Sequence, residues 1–442
     1  MSPMPVATAL GDVRRIAHGP MRRLFVGQAF NALGSGLTLA LLMIYLTKVR
    51  DLAVPLATGL LAWQAILALL VSPFAGTLID RFGPRPILMA AALVEAVGIF
   101  GYGQVTTAQQ AFLTMTVVAI GGAGIWGSAS ALTARLVPSA DRSTAFGFSF
   151  MLTNLGLGLG GLIGASIVDV HRPGTFTLLY TLTATAYVGL FLAVLSMGNV
   201  GGLPLDARSG SAPETAADDA AGPTTLVPAA GGWRDVLRDR SLLRYALAGL
   251  LMLTFGYGSI DAGVGLYVVG PLELKASVTG VVFAANTAVI VFAQLFVLGL
   301  IRGRSRARML AAVGLLWACS WLLFALALGM PVDWAKILVL MVAMGVFAFG
   351  ETLWSPVAPA LLNDLAPEHL RGRYNAFQSV LWGVSGALGP VIAGIFLSAN
   401  RGLLWALALA LGCTVAALIA LQLRQHLTAD QDGIAEPVEV GS

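Results

Sequence analysis

At 442 residues the chain is 57% apolar and only 11% charged, with a mean hydropathy of +0.83. A soluble domain carries about a quarter of its residues as Asp, Glu, Lys and Arg, so a water-soluble globule is excluded and the chain reads as an integral membrane protein. Its net charge of +4 comes from loop arginines, where it reports topology and not nucleic-acid binding.

Each crossing of the hydrocarbon core takes about 20 apolar residues. Such runs are predicted over 24–47, 56–79, 87–104, 108–137, 144–169 and 174–197. After a break they resume over 243–269, 277–301, 309–329, 334–363, 374–398 and 402–423. The chain therefore divides into an N-terminal segment 1–21, a six-helix bundle 22–197, a linker 198–240, a second bundle 241–423 and a tail 424–442. No short apolar core with a small-residue cleavage site precedes the first span, which is expected to act as its own insertion signal. Within the linker, 213–230 is too poor in apolar residues to bury a core and is expected to be flexible. The stretch 233–244, WRDVLRDRSLLR, has amphipathic spacing; it either lies along the membrane surface or leads into the seventh span. The tail is acidic and expected to be disordered. Cys319 and Cys413 both fall in apolar runs and are expected to be packed thiols, with no disulfide or metal.

Orientation follows from the loops. With both termini in the cytoplasm, 20 of the 26 Lys and Arg lie inside, leaving Lys48, Arg50, Arg172, Lys275, Lys336 and Arg401 outside. The two halves also echo each other. Leu136-Val-Pro138-x-x-x-Arg142 returns as Leu365-Ala-Pro367-x-x-x-Arg371, at an offset of 229 that also relates Gly160-x-x-x-Gly164-Ala165 to Gly389-x-x-x-Ala393-Gly394. A parallel repeat of six spans joined by a polar linker predicts an all-α integral membrane protein, twelve transmembrane helices in two six-helix bundles.

The turn between the second and third spans, Gly76-x-Leu78-x-Asp80-Arg81-x-Gly83-x-Arg85, concentrates charge in an otherwise apolar stretch. It resembles the loop signature of the major facilitator superfamily, G-x-L-x-D-R-x-G-R-R, lacking only the first of the two closing basic residues, where Pro84 stands. The resemblance implies the major facilitator fold, alternating access, and a latch between the second and eleventh spans on the cytoplasmic side. Carried over, the gating residues are Gly76, Asp80, Arg81, Gly83, Arg85 and Arg142. Asp80 would meet a helix N-terminus or Arg142, and Arg81 or Arg85 would bind facing carbonyls or acids. The glycine run 156–164 is similar to the antiporter signature of the fifth span, with Gly161 in place of its proline. The arginine that many antiporters of the family carry early in the fourth span is absent, since 114–125 is uncharged.

Ionisable groups within spans are costly and mark function. Glu95, Asp261 and Glu351 are the candidates for proton coupling. Amides and aromatics on the spans form an amphipathic lining, with Gln28, Asn31, Trp126, Asn154, Tyr257, Asn286, Trp354, Gln378 and Trp382 as candidate substrate contacts. The four histidines are scattered, and no metal-ligand spacing, phosphate loop or nucleophile elbow occurs. The expectation is therefore a monomeric non-enzyme with no cofactor, no metal and no nucleic-acid partner. Its partners are protons, a small-molecule substrate and the bilayer of the inner membrane. The expected activity is proton-coupled efflux of amphipathic compounds; the alternatives are uptake symport or uniport, lipid transport, and a non-transporting sensor or scaffold.

Overall fold

A computed structural model describes residues 5–38, 41–198, 200, 232–275 and 277–434. Among them the regular elements are helical. A short α1 (Pro5–Ile16) precedes α2 (Gly19–Thr38), α3 (Leu42–Val49), α4 (Val54–Phe82), α5 (Pro84–Tyr102), α6 (Ala108–Leu136), α7 (Ser139–Ile167) and α8 (Pro173–Leu195). The second half holds α9 (Trp233–Val236), α10 (Arg240–Met252), α11 (Gly258–Val269), α12 (Ser277–Ile301), α13 (Arg306–Ala327), α14 (Asp333–Leu365), α15 (Arg371–Leu397) and α16 (Gly402–Leu423). Eleven of the described helices are long and apolar enough to cross a membrane, and twelve spans result when α2 and α3 count as one bent span.

Local chemistry sets the helix starts. Thr107 and Gln110 form a capping box at α6, Asp239 accepts from the Ser241 and Leu242 amides at α10, and Ser305 accepts from the Arg308 amide at α13. Prolines stand in the first turn of α4, α5 and α8, where a missing N–H costs nothing. Pro84 is one of these. The residue that departs from the loop signature follows Gly83, whose φ of 87° ends α4, and opens α5.

Inside the first half α2 packs on α7 and α8, and α5 on α6 and α8; inside the second, α13 packs on α14 and α16, and α12 on α14. Each half has its own buried apolar cluster, one drawn from residues between Ile16 and Met197, the other from Val236 to Leu423 with Ala9 added. The halves meet where α4 and α6 face α15 and where α7 faces α12 and α14. Both described ends of the chain pack at one end of these contacts, here termed the termini face.

The seventh span carries a π-helical turn over Leu253–Tyr257 that joins α10 to α11 without a break, with Gly258 packed against the Ser385 carbonyl. Two expectations are corrected. The tail is ordered as far as residue 434: Asp432 is buried, its carboxylate accepts from the Ala307 amide at 2.9 Å and its carbonyl from the Arg306 amide at 2.8 Å. Cys319 is exposed, whereas Cys413 is buried. The amphipathic stretch after the linker forms only the one-turn α9, whose Trp233 indole donates to Thr77 Oγ1 at 3.1 Å, before α10 begins at Arg240. Most of the linker, including 213–230, lies outside the described residues.

Candidate functional site

Asp80 lies in the last turn of α4, where its own helix dipole disfavours a negative charge. It is turned across to the second half. Its Oδ1 accepts from the Gly372 amide at 2.5 Å, and its Oδ2 accepts from the Arg373 amide at 3.2 Å and the Arg373 guanidinium at 3.3 Å. A carboxylate from one bundle thus caps the N-terminus of α15 in the other, using backbone donors that have no partner within their own helix. The approach depends on two glycines. A Cβ on Gly76 would stand 2.5 Å from that of Ala376 and 2.8 Å from the Gly372 carbonyl oxygen, and one on Gly372 would stand 2.7 Å from Asp80 Oδ1.

Arg142 does not meet Asp80. Its guanidinium donates to the Ala134 carbonyl at 3.2 and 2.9 Å and forms an ion pair with Asp364 at the end of α14. Arg306 pairs with the same carboxylate and donates to the Ser139 carbonyl at 2.9 Å, while Ser139 Oγ donates to Asp364 Oδ2 at 2.8 Å. The Asp364 side chain is only 2% exposed. Beside this cluster, Asn363 Nδ2 donates across the halves to Ser130 Oγ at 3.0 Å, and Arg135 stands 3.9 Å from Glu368. The other basic residues of the loop signature face elsewhere: Arg85 donates to the Val194 and Leu195 carbonyls in its own half, and Arg81 lies over the Phe82 ring. Sequence reasoning missed Asp364. The repeat offset of 229 places it opposite Arg135, and that charge reversal between equivalent positions was the available signal.

The glycine run packs as its spacing implies. Gly156, Gly160 and Gly164 of α7 sit against the α2 backbone at Ala32, Leu33 and Leu37, and Gly389 sits against Gly258 in the second half.

Two of the three intramembrane acids are described with their side chains. Glu351 is buried in α14, and its Oε2 accepts from Asn286 Nδ2 of α12 at 2.6 Å. Phe347, Glu351 and Trp354 follow at helical spacing on α14. Phe347 stacks on Trp317 at 4.8 Å; Tyr257 packs edge-on to Trp317 at 5.2 Å and tilted against Trp382 at 5.1 Å. Glu95 of α5 is buried over Gly121 and Gly122 of α6, and its Oε2 has no hydrogen-bond partner among the described residues. Nearby Tyr187 shares a hydrogen bond with Ser35 at 3.0 Å. Asp261 falls in α11, but its side chain lies outside the described residues.

The expected substrate contacts do not gather into one site. Gln28 accepts from Ser149 between α2 and α7, Asn154 bonds within its own helix to the Phe150 carbonyl, and Gln378 accepts from Tyr245. Trp354 is buried in the second-half core beside Trp317, which makes it a packing residue in this conformation, whereas Trp126 is 72% exposed. Asn31 has a buried Nδ2 without a partner among the described residues. Two pairs remain, Asn286 with Glu351 and Tyr257 with Trp382; Tyr257 also lies 6.0 Å from Phe347, one turn before Glu351 on α14.

The model of the Major Facilitator Superfamily matches residues 24–326 and 315–437. Among curated relatives, a Na(+), Li(+), K(+)/H(+) antiporter of Planococcus maritimus is 22% identical over 389 residues, 83% of this chain and 87% of that protein. Multidrug resistance protein 1 of Bacillus subtilis is 28% identical over 138 residues, 31% of this chain and 35% of that protein. Among solved structures, an outward-facing bacterial homologue of the iron transporter ferroportin superposes with a TM-score of 0.73 at 13% identity, over 92% of this chain and all of the other. With the loop signature, the repeated bundles and a family match that runs through both halves, the chain belongs to the major facilitator superfamily of membrane transporters.

Proposed function

We propose that the protein is a secondary active transporter that works by alternating access and exports amphipathic small molecules in exchange for protons. The observation that carries the reading is the buried Glu351, hydrogen-bonded at 2.6 Å to the neutral amide of Asn286 within reach of an aromatic group. A carboxyl in that setting binds a proton in one conformation and releases it when the helices rearrange and admit water, which couples proton affinity to conformation. Tyr257 and Trp382 offer the apolar faces that an amphipathic cation or neutral drug requires. The arginine-rich termini face is assigned to the cytoplasm by charge bias, so the contacts of Asp80 and Asp364 hold the cytoplasmic side shut. Gly76, Gly83 and Arg85 shape that latch, and Arg142 serves the Asp364 cluster. Asp261 and Glu95 are the remaining proton-site candidates.

The test is proton flux in proteoliposomes with an internal pH-sensitive dye, challenged with lipophilic cations and neutral drugs. Flux that depends on such a compound and disappears in Glu351→Gln supports the reading; compound-driven flux that persists in the variant removes Glu351 from coupling. A second reading, exchange of monovalent metal cations for protons, is favoured by the relative named for Na(+), Li(+) and K(+), which aligns over 83% of the chain where the multidrug relative aligns over 31%. Dye responses to NaCl, LiCl and KCl in the absence of drug discriminate the two.

A further inference from the structure

The N-terminal helix α1 is neither a span nor a free leader. Ala9, Asp12, Val13 and Ile16 follow at i, i+3, i+4 and i+7 and are all buried, while Leu10 and Arg14 are exposed and Arg15 is half-exposed along the edge of the stripe. The two ends of this buried stripe belong to different cores. Ala9 joins the apolar cluster of the second half, and Ile16 joins that of the first. The charges divide in the same way. Asp12 pairs with Arg302, just past the end of α12, at 3.0 Å; Arg15 binds Asp141, in the first turn of α7, through two bonds of 2.7 and 2.8 Å. Asp12 also holds Arg15 at 3.2 Å and so joins both links.

From these contacts we propose that α1 is a strap across the termini face, and that Asp12 is the residue that positions it. The cytoplasmic-side opening required by alternating access separates α7 from α12. A helix rises about 1.5 Å per residue and does not stretch, so α1 cannot follow both bundles and must let go of one. The strap therefore adds to the closed state and sets how often the termini face opens. It differs from the latch formed by Asp80, because it lies between spans five and eight and is built from a segment outside the twelve-span core.

The experiment measures spin-label distances between Ala140→Cys and Arg304→Cys, both exposed positions outside the strap contacts, in a Cys319→Ser background in lipid nanodiscs. Removing residues 1–16, or changing Asp12→Arg, is expected to raise the long-distance population about threefold. Adding Arg302→Asp to Asp12→Arg is expected to bring the full-length ratio back, which a general loss of stability would not do. Transport turnover should change with the ratio while KM for substrate stays fixed. The inference rests on alternating access, and the outcomes separate the two. Full-length protein with two distances, whose ratio ignores both the truncation and Asp12→Arg, refutes the strap alone. A single distance in every protein, at each pH and substrate load, refutes the strap and alternating access together.

Discussion

Asp80 and Asp364 cross between the bundles in opposite directions. Asp80 leaves the first half to cap α15 in the second, and Asp364 leaves the second half to bind Arg142 and Ser139 at the start of α7 in the first. Each acid stands near the end of its own helix, where the dipole repels it; the partners of Asp80 all lie in the other half, whereas Asp364 has Arg142 and Ser139 across the halves and Arg306 within its own. Under the proposed alternating access, these two reciprocal contacts favour one conformation, and a rocking motion of the bundles would break both.

Replacing Asp80 with Asn keeps the shape and removes the charge. The α15 N-terminus and Arg373 lose a counter-charge worth about 1–2 kcal/mol, which corresponds to roughly a tenfold shift toward the open face. Turnover in proteoliposomes should fall by about that factor with KM for substrate unchanged; a loss confined to KM would remove Asp80 from the latch.

Removal of the Asp364 carboxylate should hurt more. Arg142 and Arg306 are only 12% and 4% exposed and would be left as buried cations. Breaking a buried pair on one side costs about 3–5 kcal/mol, so Asp364→Ala should lower the melting temperature in detergent far more than Asp80→Asn. Adding Arg142→Gln should recover part of the loss. Equal melting temperatures for the two single variants would show that the cluster is solvated and weak.

A methyl group at the helix crossing tests the same contact sterically. Gly372→Ala places Cβ 2.7 Å from Asp80 Oδ1, closer than carbon and oxygen approach. The backbone of α15 must shift away, and the expected result is loss of disulfide cross-linking between cysteines placed at exposed positions on α4 and α15 near this crossing. Retained cross-linking, with wild-type melting, would mean that the two helices slide without cost.

Glu351→Gln and Glu95→Gln separate the two described acids. Glutamine at 351 keeps a side-chain oxygen for the Asn286 donor, so melting should move by no more than about 1 kcal/mol of stability while compound-driven proton flux disappears. Substrate binding, read by tryptophan quenching, should survive. At Glu95, where one oxygen lacks a partner among the described residues, Gln should leave both melting and flux near those of the unaltered protein. Flux lost at 95 and kept at 351 would transfer the coupling role to the first half.

Much of this protein was legible in one dimension. Hydropathy is a local property summed over about 20 residues, so 277–301 and 402–423 were read with the limits that the helices have. The repeat and the Gly76–Arg85 signature were legible for the same reason, because each lies in a short contiguous stretch. What escaped was set by which face each helix turns inward. Asp80 and Gly372 are 292 residues apart, and only the packing of α4 on α15 brings them together. Arg142 was singled out, yet its partner Asp364 was not, since nothing local tells an acid at a helix end that a cation from the other bundle will stand over it. The π-helical turn at Leu253–Tyr257 and the burial of Trp354 likewise depend on neighbours, Trp317 among them, that no window of sequence contains. Residues 5–16 are too weakly apolar to announce themselves, and only the tertiary structure seats Ala9 in one core and Ile16 in the other. Composition and spacing decided that the chain crosses the membrane in two repeated sets of helices; the cross-bundle contacts at the termini face were decided by helix rotation and approach, which are properties of the packed whole.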